Sequence, residues 1–213
     1  MKIYKPKSIK KDETPADIIT DLLDNDLSIE DKLINLINSY PEIKLTSGAE
    51  NLIIEKLITN LGGKIRFPRT GDNNERFDAV IDFNHYVCLV EIEIPSTAIL
   101  DAPRNLLDDY AVAVSRRGFN DKPIIPLVIC WDVPNKRQDY WNVIKDIKKI
   151  LNIEIKTISI AALALHYWTS EPLNLQTDYY LDIDQQQMTT SISILNSHNI
   201  HSSTGTGYLE PLK

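Results

Sequence analysis

Three carboxylates, Asp78, Glu91 and Glu93, fall within one eighteen-residue run, RFDAVIDFNHYVCLVEIE, at positions 76–93. Carboxylates gathered on one surface repel each other unless a cation sits among them. Their oxygens suit a hard divalent ion such as Mg²⁺. An ion held there would polarise a phosphoryl oxygen and lower the pKa of bound water, which is a route to hydrolysis.

The same run says how the three acids are positioned. Side chains alternate faces along a strand. In the first half Phe77, Ala79, Ile81 and Phe83 share one face, and Arg76, Asp78, Val80 and Asp82 share the other. In the second half Tyr86, Cys88, Val90, Ile92 and Ile94 share one face, and Val87, Leu89, Glu91 and Glu93 the other. A hairpin turning at Asn84-His85 sets Phe77 against Ile92, Ala79 against Val90 and Ile81 against Cys88, all apolar. On the other face it sets Asp78 against Glu91, Arg76 against Glu93 and Val80 against Leu89. A slip of one residue would mix polar with apolar on both faces, so this register is favoured. Directly opposed residues have Cβ atoms about 4.5–5.5 Å apart, and like charges there are destabilising.

Acids alternating with apolar residues ordinarily mark a solvated sheet face. Here Val87 and Leu89 precede Glu91 and Glu93 on one face, so the strand reads as buried on both sides before its acidic end. Buried charge needs a partner or a metal. Arg76 is a partner for Glu93 as a structural ion pair, but it leaves the Asp78–Glu91 conflict unrelieved.

The surrounding elements follow from spacing and end signals. A Lys-rich arm over residues 1–12 precedes a helix opened by Thr14-Pro15 and reaching Leu23. A second helix is expected over 28–38. Ser47 and Glu50 match a capping box, and the helix behind them stops at Gly62-Gly63. A short strand over 64–67 and the hairpin come next. A helix over 98–116, a strand over 124–131, a helix over 139–151, a strand over 153–160 and a short helix over 161–168 complete the core. Two further strands are expected over 179–183 and 189–195. This order gives an α/β (α+β) chain with a mixed central β-sheet flanked by helices. It divides into a basic arm with helices (1–46), a core (47–170) and a C-terminal extension with a possible hairpin and tail (171–213).

Composition sets the outer limits. With 43% hydrophobic and 25% charged residues the chain is an ordinary globular one. No eighteen-residue apolar stretch is present, so no membrane span is expected. The Lys-rich start carries no apolar run of a secretory leader. Cys88 and Cys130 both lie in apolar runs and read as free thiols of a reducing, cytoplasmic compartment. A net charge of −7 argues against a general nucleic-acid coat protein, though not against a local basic groove. His166 sits among apolar residues and reads as packed. His198 and His201 lie in a polar tail, and Gly205-Thr-Gly207 lacks the strand and helix of a phosphate loop.

Element order and motif together resemble the PD-(D/E)XK nuclease superfamily, the fold of most type II restriction endonucleases. Phe77-Asp78 stands at the Pro-Asp position and Glu91-Ile92-Glu93 at D/E-x-K. The resemblance covers residues 47–160 and implies a restriction-endonuclease-like core. Glu93 occupies the usual lysine position, as in the minority E-x-E variant (the BamHI-like motif). The resemblance implies Mg²⁺-dependent hydrolysis of double-stranded DNA at a specific sequence by a homodimer. It assigns Asp78 and Glu91 as metal ligands and Glu93 as general base or water-orienting group. Glu50 is the helix carboxylate many members add, with its capping role as the rival reading and Glu55 as a weaker rival residue. Asp82 lies nearer the turn and is excluded. Among basic residues beside the site, Arg69, Arg104, Arg116 and Arg117 are the expected DNA contacts, with Arg66 and Lys122 nearby. Two other functions stay open: a structure-directed or repair nuclease such as a junction resolvase, and a non-catalytic DNA-binding or assembly protein on the same scaffold.

Overall fold

The computed structural model describes residues 19–20, 22–23, 26–68, 77–116, 121–131, 133–134 and 139–176. At its centre the expected hairpin is formed. Strand β2 (Ala79–Phe83) turns at Asn84-His85 into β3 (Tyr86–Glu93). Their ladder pairs Ala79 with Val90, Val80 with Leu89, Ile81 with Cys88, Asp82 with Val87 and Phe83 with Tyr86. This is the register that the apolar alternation demands, because any other would turn Ile81 and Cys88 toward the acids.

Around the hairpin the sheet runs in the order β1-β2-β3-β4-β5, with β1 (Lys64–Arg66), β4 (Ile124–Cys130) and β5 (Lys156–Ser159). β1–β2 and β2–β3 are antiparallel; β3–β4 and β4–β5 are parallel. Parallel neighbours need a crossover. Helix α3 (Ala102–Arg116) supplies it between β3 and β4, and α4 (Asp139–Leu151) between β4 and β5. The class is therefore α/β, a mixed five-stranded sheet with flanking helices.

Helices divide between the faces by what the strands present. Face-sharing neighbours Glu91, Val128 and Thr157 lie across β3, β4 and β5. Asn105 of α3 bonds to Glu91, and the Tyr140 hydroxyl of α4 lies 2.7 Å from that of Thr157, so α3 and α4 cover this acidic face. The opposite face carries Ile81 and Phe83. Gly63 lets helix α2 (Ala49–Asn60) close onto it, since a Cβ there would stand 2.7 Å from Ile58 Cγ2 and 3.0 Å from Ile81 Cγ2. Helices α1 (Ile29–Leu45) and α5 (Ile160–Thr169) join α2, and the core extends from Leu22 to Leu175.

Several boundaries differ from expectation for identifiable reasons. α1 runs past Asn38 and through Pro41, because Ile43 is drawn into the core. Its start is as expected, with Ser28 Oγ accepting from the Asp31 amide at 3.0 Å. The cap of α2 is Gly48 at φ 82°, not Ser47, and makes no side-chain bond, so the capping box is not formed. Positions 98–101 form turns before α3 begins. Asn152, at φ 55°, delays β5 to Lys156, and Ser159 ends it by capping α5. Ile19, Thr20, Leu22 and Leu23 are helical, as expected. The arm and the strands expected over 179–183 and 189–195 lie outside the described residues. Among the described residues no helix is long and apolar enough to cross a membrane.

Candidate active site

The acids gather where β2 begins and β3 ends. The backbone ladder stops one step short of Asp78 and Glu91. Asp78 still donates its amide to the Val90 carbonyl at 3.0 Å, but the next bond comes from its side chain: Oδ2 accepts from the Ile92 amide at 2.7 Å. The carboxylate thus replaces a carbonyl in the ladder, which fixes one oxygen and explains an Asp at this point. The expected direct Asp78–Glu91 and Phe77–Ile92 strand pairs are therefore not ladder pairs. Arg76, the expected partner of Glu93, lies outside the described residues.

Electrostatics bind the three acids into one group. Glu91, half-buried, has its carboxyl pushed up to about 7; loss of water leads, then repulsion from Asp78, with smaller contributions from Asp109 and Glu93. The Asn105 amide, donating Nδ2 to Glu91 Oε1 at 3.2 Å, works the other way. Glu93 is 8% exposed, and burial followed by the Asp78 charge raises its carboxyl; the Ala98 amide bonds to it and opposes this, while Asp101 adds to it. Asp78 keeps an exposed side, yet the surrounding protein withdraws enough water to raise its carboxyl, against the pull of the Ile92 amide. Each charge makes the others harder to ionise, which is what a shared cation would relieve.

α3 contributes residues that the motif did not announce. Asp101 just precedes the helix, and Asn105 and Asp109 follow at steps of four, so all three share one face. Asn105 holds Glu91, Asp109 is 5% exposed and acts on Glu91, and Asp101 acts on Glu93. The four-residue spacing within a foreseen helix was the available signal. Tyr140 of α4 is also close enough for the Glu93 charge to help raise its hydroxyl, after burial and Cys130.

The remaining expected residues fall elsewhere. Glu50 is half-buried in the first turn of α2, and it is not among the carboxylates acting on Glu91 or Glu93. Asp82 is paired with Lys122 at the turn end of the hairpin, in keeping with its exclusion. Arg104 reaches Asp139 at 3.3 Å and Asp101 at 3.6 Å, tying α3 to α4. Arg116 is exposed in the last turn of α3, roughly 16 Å along the axis from Asn105 at about 1.5 Å per residue. Arg69 and Arg117 lie outside the described residues, as do His198 and His201. His166 is buried and bonds to the Glu171 carbonyl, and both cysteines are buried free thiols.

A buried lysine exists, but not in the site. Lys156 is 2% exposed and bonds to Glu154 Oε2 at 3.0 Å. Its ladder neighbour is Leu127, opposite Val90, so it belongs to the sheet face away from the acids. Burial raises Glu154, but the bonds from Lys148 and Lys156 outweigh it and leave that carboxyl below its ordinary value. The Glu93 position therefore has no lysine substitute from β5.

The donor set of Asp78, Glu91 and Glu93 is all hard oxygen, which fits Mg²⁺. Among the described residues no group of three His, Cys, Asp or Glu forms a closed ligand cage. Mg²⁺ is commonly held by one or two carboxylates, waters and substrate phosphate, not by an all-protein cage. Comparison with known proteins adds no further constraint: no protein-family model, curated protein or solved structure matches this chain.

Proposed function

We propose that the protein is a Mg²⁺-dependent endonuclease acting on double-stranded DNA, of the type II restriction kind within the PD-(D/E)XK superfamily. The observation that carries this reading is the cluster itself. Asp78, Glu91 and Glu93 stand at the mouth of a β-hairpin that leads into a β-α-β crossover, and each raises the protonation of another. The hairpin, the crossover and the acid–E-x-E spacing are all features that the resemblance implies.

The residues divide the work by chemistry. Asp78 and Glu91 would hold Mg²⁺, which when bound supplies charge neutralisation at the phosphate and a more acidic water. Asn105 fixes one Glu91 oxygen, and the Ile92 amide fixes one Asp78 oxygen. Glu93 takes a proton from the attacking water as its oxygen forms a bond to phosphorus and the opposite P–O bond breaks. A carboxyl raised above its ordinary value is the stronger base for that transfer. The leaving oxygen takes its proton from solvent.

A homodimer would match a two-fold symmetric DNA site. The non-catalytic reading draws on the absent lysine. Incubation with plasmid DNA in Mg²⁺, and in EDTA, separates the readings. Discrete fragments in Mg²⁺ that vanish in EDTA support a restriction enzyme, and cutting only of branched substrates supports a resolvase. Intact DNA with every divalent ion tried removes the enzymatic reading. Asp78→Ala and Glu91→Ala should each abolish cutting while leaving the fold intact by circular dichroism.

A further inference from the structure

The sheet face that carries the acids is covered only in part. α3 and α4 lie over β3, β4 and β5, but beside them the β1–β2 portion opens into a surface hollow of about 430 Å³. Its lining includes Lys64, Arg66, Val80, Asp82, Val87 and Lys122. Register puts these on the acidic side: Lys64 pairs with Asp82, which pairs with Val87, and Arg66 pairs with Val80. Val80 is two residues from Asp78 along the same strand and on the same side. The hollow and the carboxylates are thus one continuous surface, with α3 as its wall.

Charge along this surface is ordered. Lys122 and Asp82 neutralise each other at the turn end. Lys64 and Arg66 are both exposed, about 6.6 Å apart along β1 from a rise of about 3.3 Å per residue. The Arg66 guanidinium lies 5.9 Å from the Phe77 ring, which places it at the start of β2 beside Asp78. In a chain of net charge −7, two cations spaced along a groove leading to a carboxylate cluster are a local exception. A chain of phosphates is the ligand whose charge repeats along a line, and apolar Val80 and Val87 offer sugars a floor between the cations.

We infer that the hollow over β1 and β2 seats the DNA backbone flanking the reacting phosphodiester, with Lys64 and Arg66 as its phosphate contacts. The inference rests on the nuclease reading and adds the path of the strand across the protein. These contacts are independent of base sequence, so they position the duplex without specifying its site.

The test is fluorescence anisotropy with a labelled random-sequence 30-base-pair duplex, in Ca²⁺ so that binding is read without cutting. Affinity is measured across a salt series for the wild type, for Lys64→Ala/Arg66→Ala, and for Lys44→Ala/Lys56→Ala as a control of equal charge on exposed helix positions. Each phosphate contact contributes about 0.9 to the slope of log affinity against log salt. The Lys64/Arg66 variant should therefore lose about two units of slope and bind at least tenfold more weakly near physiological salt, and the control should match the wild type. Arg66→Lys should retain the wild-type slope. Wild-type binding with an unchanged slope in Lys64→Ala/Arg66→Ala overturns this path and leaves the nuclease reading standing. Equal losses in variant and control also overturn it, because overall charge would then be the cause. A wild type that neither binds nor cuts any duplex removes both.

Discussion

Glu91 holds the most informative titration among the residues. Its carboxyl rises from the ordinary 4.5 to about 7 on folding. A carboxyl raised in the folded state favours folding below its unfolded pKa, and that stability is lost as pH rises through the folded value. The metal-free protein should thus lose stability between about pH 4.5 and pH 7 on account of this group. Glu91→Gln removes the repulsion and should stabilise the metal-free protein at pH 8 by on the order of 1 kcal/mol, discounted for partial exposure. Urea denaturation of both forms measures it, and a less stable Gln variant at pH 8 would contradict the electrostatic account. Asp109 and Glu50 make a second comparison. Asp109 acts on Glu91 from a buried position and Glu50 does not, so Asp109→Asn should lower the cleavage rate at least tenfold. Glu50→Ala should leave the rate within about twofold, a difference of under 0.5 kcal/mol in barrier.

Among the elements, the hairpin was the most legible, because a strand period of two leaves a single register that keeps Ala79, Ile81, Cys88 and Val90 together. The helices were legible as segments and less so at their ends. Pro41 is an apparent stop signal, yet burial of Ile43 carries α1 past it. Ser47 satisfies the capping pattern, but the backbone turns at Gly48 with a positive φ that no pattern of side chains announces. The acids were legible as a group; their α3 partners were not, because facing of Asn105 and Asp109 toward Glu91 depends on how the crossover packs. Gly63 shows how closely the elements fit. Gly63→Ala would drive a methyl against Ile58, Ile81 and Phe83, so α2 and β2 must part or side chains leave their rotamers. A loss of about 1–3 kcal/mol is expected, read from the midpoint of chemical denaturation.

For the whole molecule, the acidic cluster links folding to cation binding. An ion that binds the folded state alone stabilises it by mass action. Addition of Mg²⁺ should raise the melting temperature at pH 8, and the rise should shrink toward pH 5.5 as protons compete at Glu91. Differential scanning calorimetry at the two pH values measures this; an equal response at both would place the ion elsewhere. Asp78→Asn/Glu91→Gln should remove the response at pH 8.

The outermost strand carries a consequence beyond ligand binding. β1 has three residues, and cations occupy both of its ends. A short strand that presents Lys64 and Arg66 is a poor template for addition of a foreign strand, since each incoming chain would have to bury or displace two charges. The same positions can thus serve colloidal behaviour as well as recognition. Lys64→Val/Arg66→Val should leave the monomer fold intact and yet raise light scattering with time and concentration. Selection for solubility and selection for DNA contact would then act on one pair of residues, and neither could relax without the other being felt.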